Sequence, residues 1–141
     1  MADTWVIPNE GKAKILEELF RSIIGRESFI LQQFTTGGPV GDASTFANFA
    51  VANYPGYMDV QIARGDWALA VAVLNVGEIS KTNNPVFTCT GGQGQVINGL
   101  LLRGFTSGVI YCGDNYGTPI TMSTGATDTI NPLKIRSKTF V

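Results

Sequence analysis

The sequence predicts a mainly β domain, an antiparallel β-sandwich or jelly-roll-like barrel of about eight short strands, entered through one N-terminal amphipathic α-helix. Three observations predict it. Apolar residues recur at helical spacing only near the start and alternate with period two beyond residue 28. Glycine is abundant, 17 of 141 residues, and gathers with Asn, Asp and Pro into clusters that punctuate the chain. Charged residues make up 15%, well under the roughly 25% of an average soluble domain. A chain of 141 residues is one domain, with the helix over 9–25 and the β-sandwich over 28–141.

The helix is predicted from Asn9, a good N-cap, with Glu10 in the first turn where the helix dipole favours an acid. Ala13, Ile15, Leu16, Leu19, Phe20, Ile23 and Ile24 form one apolar stripe. Glu10/Lys14 and Glu17/Arg21 stand four apart in the favourable order, and Gly25 suits the left-handed position that closes a helix. The stripe must be covered, either by the chain's own sheet or by a partner.

Phe29 to Phe34 reads as a strand, closed by Thr-Thr-Gly-Gly-Pro at 35–39. Asp42 or Ser44 is expected to cap a single helical turn through Phe46 and Phe49. Pro55-Gly56 signals a type II turn. Met58, Val60 and Ile62 alternate with Asp59 and Gln61 as in a half-buried strand. Over Trp67 to Val76 large side chains alternate with alanines. A short buried helix would fit, but the β-branched valines favour a strand. Further strands are expected near 86–90, 95–103, 108–113, 119–123 and 133–140.

Charge and composition exclude several classes of function. Net charge is −1, so nothing overall points to nucleic acid or an anionic membrane. The longest apolar run, Trp67 to Leu74, is far too short for a membrane-spanning helix. The start lacks a basic region followed by an apolar one, so the protein is expected to be made in a cytoplasm and kept there until it joins something larger.

There is no histidine, which removes the usual general base of Ser and Cys hydrolases and the commonest metal ligand. The acids Asp42, Asp59, Asp66, Glu78, Asp114 and Asp128 are expected in or beside loops or on polar strand faces, without a paired motif. Gly91-Gly92-Gln93-Gly94 lacks the third glycine and following helix of a dinucleotide fingerprint. Gly11-Lys12 lacks the rest of a P-loop. Cys89 and Cys112 are too few for a zinc site and are expected as core thiols, with a late disulfide as the alternative. Trp5, Tyr54, Tyr57, Trp67, Tyr111 and Tyr116 form no basic stripe and are expected in core or interface packing. No catalytic, cofactor-binding or metal site is predicted.

The last eight residues carry three bases and no acid. In a strand from Leu133, residues Leu133, Ile135 and Val141 share one face, while Lys134, Arg136 and Lys138 make a basic row on the other, with Phe140 beside it. These four residues, Lys134, Arg136, Lys138 and Phe140, are the candidate partner-binding residues. The row is either a solvated edge or a contact with an acidic neighbour.

Asn9-Glu10-Gly11-Lys12 leads into the helix, and Ile30-Leu31-Gln32-Gln33-Phe34-Thr35-Thr36 follows it. Then come Asp42-Ala43-Ser44-Thr45-Phe46-Ala47-Asn48-Phe49 and Tyr54-Pro55-Gly56-Tyr57. Val86-Phe87-Thr88-Cys89-Thr90-Gly91-Gly92 and the glycine-broken strand Val96 to Arg103 complete the order. This order resembles a group of small tailed-bacteriophage virion structural proteins of the capsid decoration, or cement, type. Where that group often has a Leu-Trp or similar aromatic strand, this chain has Val109-Ile110-Tyr111-Cys112.

The resemblance implies a non-enzymatic protein that binds the outside of a phage head and stabilises it. It also implies the major capsid protein as partner, a homo-oligomer with trimer favoured over dimer, and a place on the capsid surface after synthesis in the bacterial cytoplasm. The alternative is a tail or fibre component, or a receptor- or carbohydrate-binding module, which would need exposed aromatics beside Asp or Asn in a polar cleft.

Overall fold

The computed structural model describes residues 5–20, 27–68, 71–73, 76–80, 83–130 and 133–137. They form a helix, α1 (Asn9–Phe20), and ten strands: β1 (Phe29–Thr36), β2 (Ala50–Val51), β3 (Val60–Ile62), β4 (Val71–Val73), β5 (Val76–Ser80), β6 (Val86–Thr88), β7 (Gln95–Gly104), β8 (Ile110–Met122), β9 (Thr127–Thr129) and β10 (Lys134–Ser137). All strand pairs are antiparallel. The protein is mainly β, as its sequence predicts.

The central sheet runs β2-β1-β7-β8, and β3 pairs with the first half of β1 along the edge that β2 takes in its second half. A three-stranded sheet, β10-β5-β4, and a ribbon, β6-β9, complete the fold. One face of the central sheet contributes Leu31, Leu100, Leu102 and Cys112 to the main core, where Phe87, Ile130, Leu133 and half-buried Ile135 meet them. The opposite face contributes Phe34, Leu101 and Ile110, covered by Val40 and Phe49 from the segment between β1 and β2. Burial on both faces explains why Leu31–Phe34 and Gly99–Leu102 are unbroken buried runs instead of alternating ones.

Local chemistry accounts for most element boundaries, and it corrects several expectations. The helix begins with Asn9 itself, since Lys12 N already bonds to Pro8 O at 2.9 Å, so Asn9 is not the cap. Gly11 is the contact residue: a Cβ there would lie 2.5 Å from the carbonyl oxygens of Ile110 and Tyr111. The first turn of α1 therefore packs on β8 of the chain's own sheet, Ala13 is exposed, and Glu10 accepts the Ile110 N–H at 3.0 Å. Residues 21–25, with the expected Gly25 closure, lie outside the described residues.

β1 runs two residues longer than expected, through Thr36. The single turn at Phe46–Asn48 is capped by Thr45, not by Asp42 or Ser44: the Thr45 N–H donates to Asn48 Oδ1 at 2.8 Å. Asp42 instead pairs with Lys12 at 3.0 Å. The Pro55-Gly56 turn forms as expected, with Gly56 at φ +86° and Tyr57 N bonded to Tyr54 O. Met58 falls outside β3 and is 77% exposed, because β3 begins at Val60. Within 67–76 the described residues 71–73 are strand, not helix. Asp114 lies fully buried within β8, against the expectation of a loop or polar face.

The largest difference is β8, which merges the two strands expected at 108–113 and 119–123. Gly99 pairs with Asn115 and Ile97 with Ile120, so residues 116–119 stand opposite Asn98 alone. This arch, Tyr116-Gly117-Thr118-Pro119, is an enlarged β-bulge and reads locally as a turn.

Candidate functional site

The arch opens a cleft. One wall is formed by Asn115 and Tyr116, the other by Thr35, Thr36 and the Gly37–Pro39 turn, with Asn98 and the Phe34 ring at the base. Its volume is about 360 Å³, at the small end of the roughly 300–1,000 Å³ typical of small-molecule sites. Asn115 braces the second wall, accepting the Val40 N–H through Oδ1 at 2.8 Å and donating to Val40 O through Nδ2 at 3.4 Å. Asn98 donates through Nδ2 to Thr35 O, and the Thr35 hydroxyl donates to Ala50 O. None of the lining residues carries an ionised side chain.

Behind Tyr116 lies a polar network built on two adjacent buried glutamines of β1. Gln33 accepts the Tyr54 hydroxyl at 2.7 Å and donates to Asp128 Oδ2 at 2.8 Å. The Tyr116 hydroxyl donates to the same Asp128 oxygen at 2.6 Å. Gln32 projects to the opposite face, donating to Asp59 Oδ2 at 3.0 Å and accepting from Arg103 at 2.9 Å. The Tyr57 hydroxyl joins the halves: it donates to Asp59 Oδ1 at 3.0 Å and accepts the Gln33 N–H at 3.2 Å. The Arg103 guanidinium lies 3.3 Å over the Phe46 ring.

Burial pushes the Tyr116 phenol well above its usual range, and its bond to Asp128 adds to the effect. Burial, with the Asp128 charge second, raises Tyr54 to about 12. Both phenols therefore stay neutral and donate.

A second cluster fixes the 105–107 turn. The Glu27 carboxylate accepts the N–H groups of Thr106 and Ser107, each at 2.8 Å, and the hydroxyls of Ser107 and Tyr111 at 2.7 and 2.9 Å. Burial alone would raise its pKa, but these donors together outweigh it and hold Glu27 below the ordinary value. Among the described residues, no three His, Cys, Asp or Glu side chains are grouped to hold a metal, and no helix is long and apolar enough to cross a membrane.

Of the residues singled out from the sequence, Lys134 and Arg136 lie on β10, at one end of the three-stranded sheet, registered against Ser80 and Glu78 of β5. Leu133 is buried and Ile135 half-buried on the inward face, as the alternation predicts. Lys138 and Phe140 lie outside the described residues. Cys89 and Cys112 are buried free thiols. Trp5, Tyr54 and Tyr111 are buried, and Tyr57, Trp67 and Tyr116 are partly buried against the main core or beside it.

The cleft and the glutamine network were not legible as sites. Their only traces in the sequence are the polar pair Gln32-Gln33 inside an apolar strand and the turn-like run Asn115-Tyr116-Gly117 inside another. No family model matches the chain, and no curated protein is significantly similar to it.

Proposed function

We propose that the protein is a non-enzymatic virion structural protein, a decoration protein that binds the outside of a tailed-phage head and stabilises it. The observation that carries this reading is the network running from Arg103 through Gln32, Asp59, Tyr57, Gln33 and Asp128 to Tyr116. It ties two buried glutamines to partly buried and exposed polar groups on both faces of the sheet, a brace that favours a rigid platform over a reaction centre. The motif order of the sequence supports the same reading. The partner is the major capsid protein, and a homo-oligomer, trimer in preference to dimer, would match the local symmetry of a shell.

Attachment is ascribed to the basic C-terminal strand. Among the described residues β10 is the end strand of its sheet and carries Lys134 and Arg136, and the sequence continues the row with Lys138 and Phe140. Weak charge contacts repeated around an oligomer would bind through avidity. The test replaces Lys134, Arg136 and Lys138 together by Gln and measures binding to isolated capsids of the particle at low and moderate salt, with circular dichroism confirming the fold. Affinity should fall and its salt dependence flatten. Unchanged affinity with unchanged salt dependence rules out the attachment, and failure of the unmodified protein to bind capsids rules out the function.

A further inference from the structure

We propose that the cleft between Thr36 and Tyr116 binds a short neutral saccharide. The proposal concerns a different part of the molecule from the capsid-binding strand and does not rest on that reading.

The first argument is charge. The lining residues are Thr, Gly, Pro, Asn, Phe and Tyr, so an ionic ligand would leave water without meeting a counter-charge, a costly exchange. Anions are further disfavoured by Asp128, which holds the Tyr116 hydroxyl from behind.

The second argument is hydrogen-bond stoichiometry. One of the two Asn98 amide hydrogens is engaged by Thr35 O, which leaves the other as a donor beside the acceptor Oδ1. The Tyr116 hydroxyl is engaged on the buried side, where it donates to Asp128 and meets the Gln33 amide. Thr36, exposed on the facing wall, supplies a hydroxyl that works either way. The cleft therefore offers an amide that both donates and accepts and a hydroxyl that does either. Neighbouring saccharide hydroxyls each donate and accept and crowd such groups into a small volume, whereas a peptide backbone brings one donor and one acceptor per residue.

The third argument is shape and stiffness. The Pro39 and Tyr116 rings offer apolar surfaces to the C–H faces of a sugar. Both walls are already tied, one by the two Asn115–Val40 bonds and the other by Asn98 to Thr35. Little side-chain freedom is left to lose on binding.

The test is a titration of ¹⁵N-labelled protein, followed by amide chemical shifts. The probes are glucose, galactose, N-acetylglucosamine and their common disaccharides, each taken to tens of millimolar, with blocked tetra-alanine as the peptide comparison. At least one saccharide should move the Gly37 and Gly38 amides and the Asn98 and Asn115 side-chain amides saturably, while signals elsewhere stay still. Thr36→Ala should weaken that saccharide several-fold, the size of one lost hydrogen bond. Thr36→Trp, at an exposed position, should block the cleft and abolish the shifts while the rest of the spectrum is retained. The proposal is overturned if no saccharide moves the cleft signals, if the shifts survive Thr36→Trp, or if only the peptide produces them.

Discussion

Gln33 and Asp128 are 95 residues apart in the chain, yet the Gln33 amide nitrogen lies 2.8 Å from Asp128 Oδ2. Gln33 is fully buried at the centre of the sheet, and a buried amide without partners would be destabilising by a few kcal/mol. Asp128 and Tyr54 satisfy it from β9 and from the loop after β2. The pair thereby locks the ribbon onto the central sheet.

Asp128→Ala should accordingly destabilise the protein by about 2–4 kcal/mol, since it strands both the Gln33 amide and the Tyr116 hydroxyl. Tyr116→Phe removes one donor and should lose about 1 kcal/mol. Urea unfolding of both single variants and the double should reveal a coupling of about 1–2 kcal/mol. Additive losses would mean that the contacts act independently.

Glu27 makes stability depend on acid pH. Its folded pKa lies below the ordinary 4.5 because its hydrogen-bond donors outweigh burial. The unfolded chain therefore takes up the proton first as pH falls. The carboxylate's contribution is complete above about pH 4.5 and is lost as pH drops through the lower folded value. Melting temperatures of the wild type and Glu27→Gln should differ most near neutrality and converge in acid. A gap that stays constant with pH would show that the ionised carboxylate is not what stabilises the 105–107 turn.

Cys89 and Cys112 are 1% and 3% exposed. Burial, reinforced by the Asp114 charge, pushes the Cys112 thiol far above its usual value and keeps it from forming a thiolate. Neither cysteine should react with iodoacetamide until denaturant is added, after which both should, and reductant should leave the melting temperature unchanged. A drop on reduction would indicate a structural disulfide.

Gly99 should tolerate no side chain. A Cβ there would lie 2.1 Å from the Asp114 carbonyl oxygen and 2.6 Å from the Phe34 ring. Gly99→Ala should destabilise by more than about 3 kcal/mol or prevent folding. Adding Phe34→Leu should not rescue it, because the closer obstacle is backbone. Gly117→Ala, with nothing within 4 Å of the new Cβ, should change stability by less than about 0.5 kcal/mol. Equal losses at the two sites would contradict the packing described at the arch.

How much was legible in the sequence depended on whether the signal was local. β1, β3 and β7 follow from alternation and apolar runs that any short window contains. Leu133 and Ile135 face the core as their spacing requires. The run Asp114-Asn115-Tyr116-Gly117 has turn chemistry, and the chain there does arch, but the ladder with β7 resumes beyond it. Only pairing across the sheet distinguishes that arch from a chain reversal. The cleft is a product of the same slip in register. The role of Gln33 depends on a residue 95 positions away, and no local pattern announces such a partner.

The placement of β1 has a consequence for biosynthesis. β2 and β3 emerge from the ribosome soon after β1 and can cover one of its edges early. The other edge belongs to β7, whose residues 99–104 pair with Phe29–Phe34. Until translation passes that point, the nascent chain presents Leu31 and Phe34 on an open strand edge, a template for wrong pairing between neighbouring polysomal chains. The uncharged stretch from Phe29 to Thr36 gives that edge no electrostatic guard. Slow delivery of β7, through rare codons or low temperature, should therefore lower the soluble yield more than the same delay placed after residue 104.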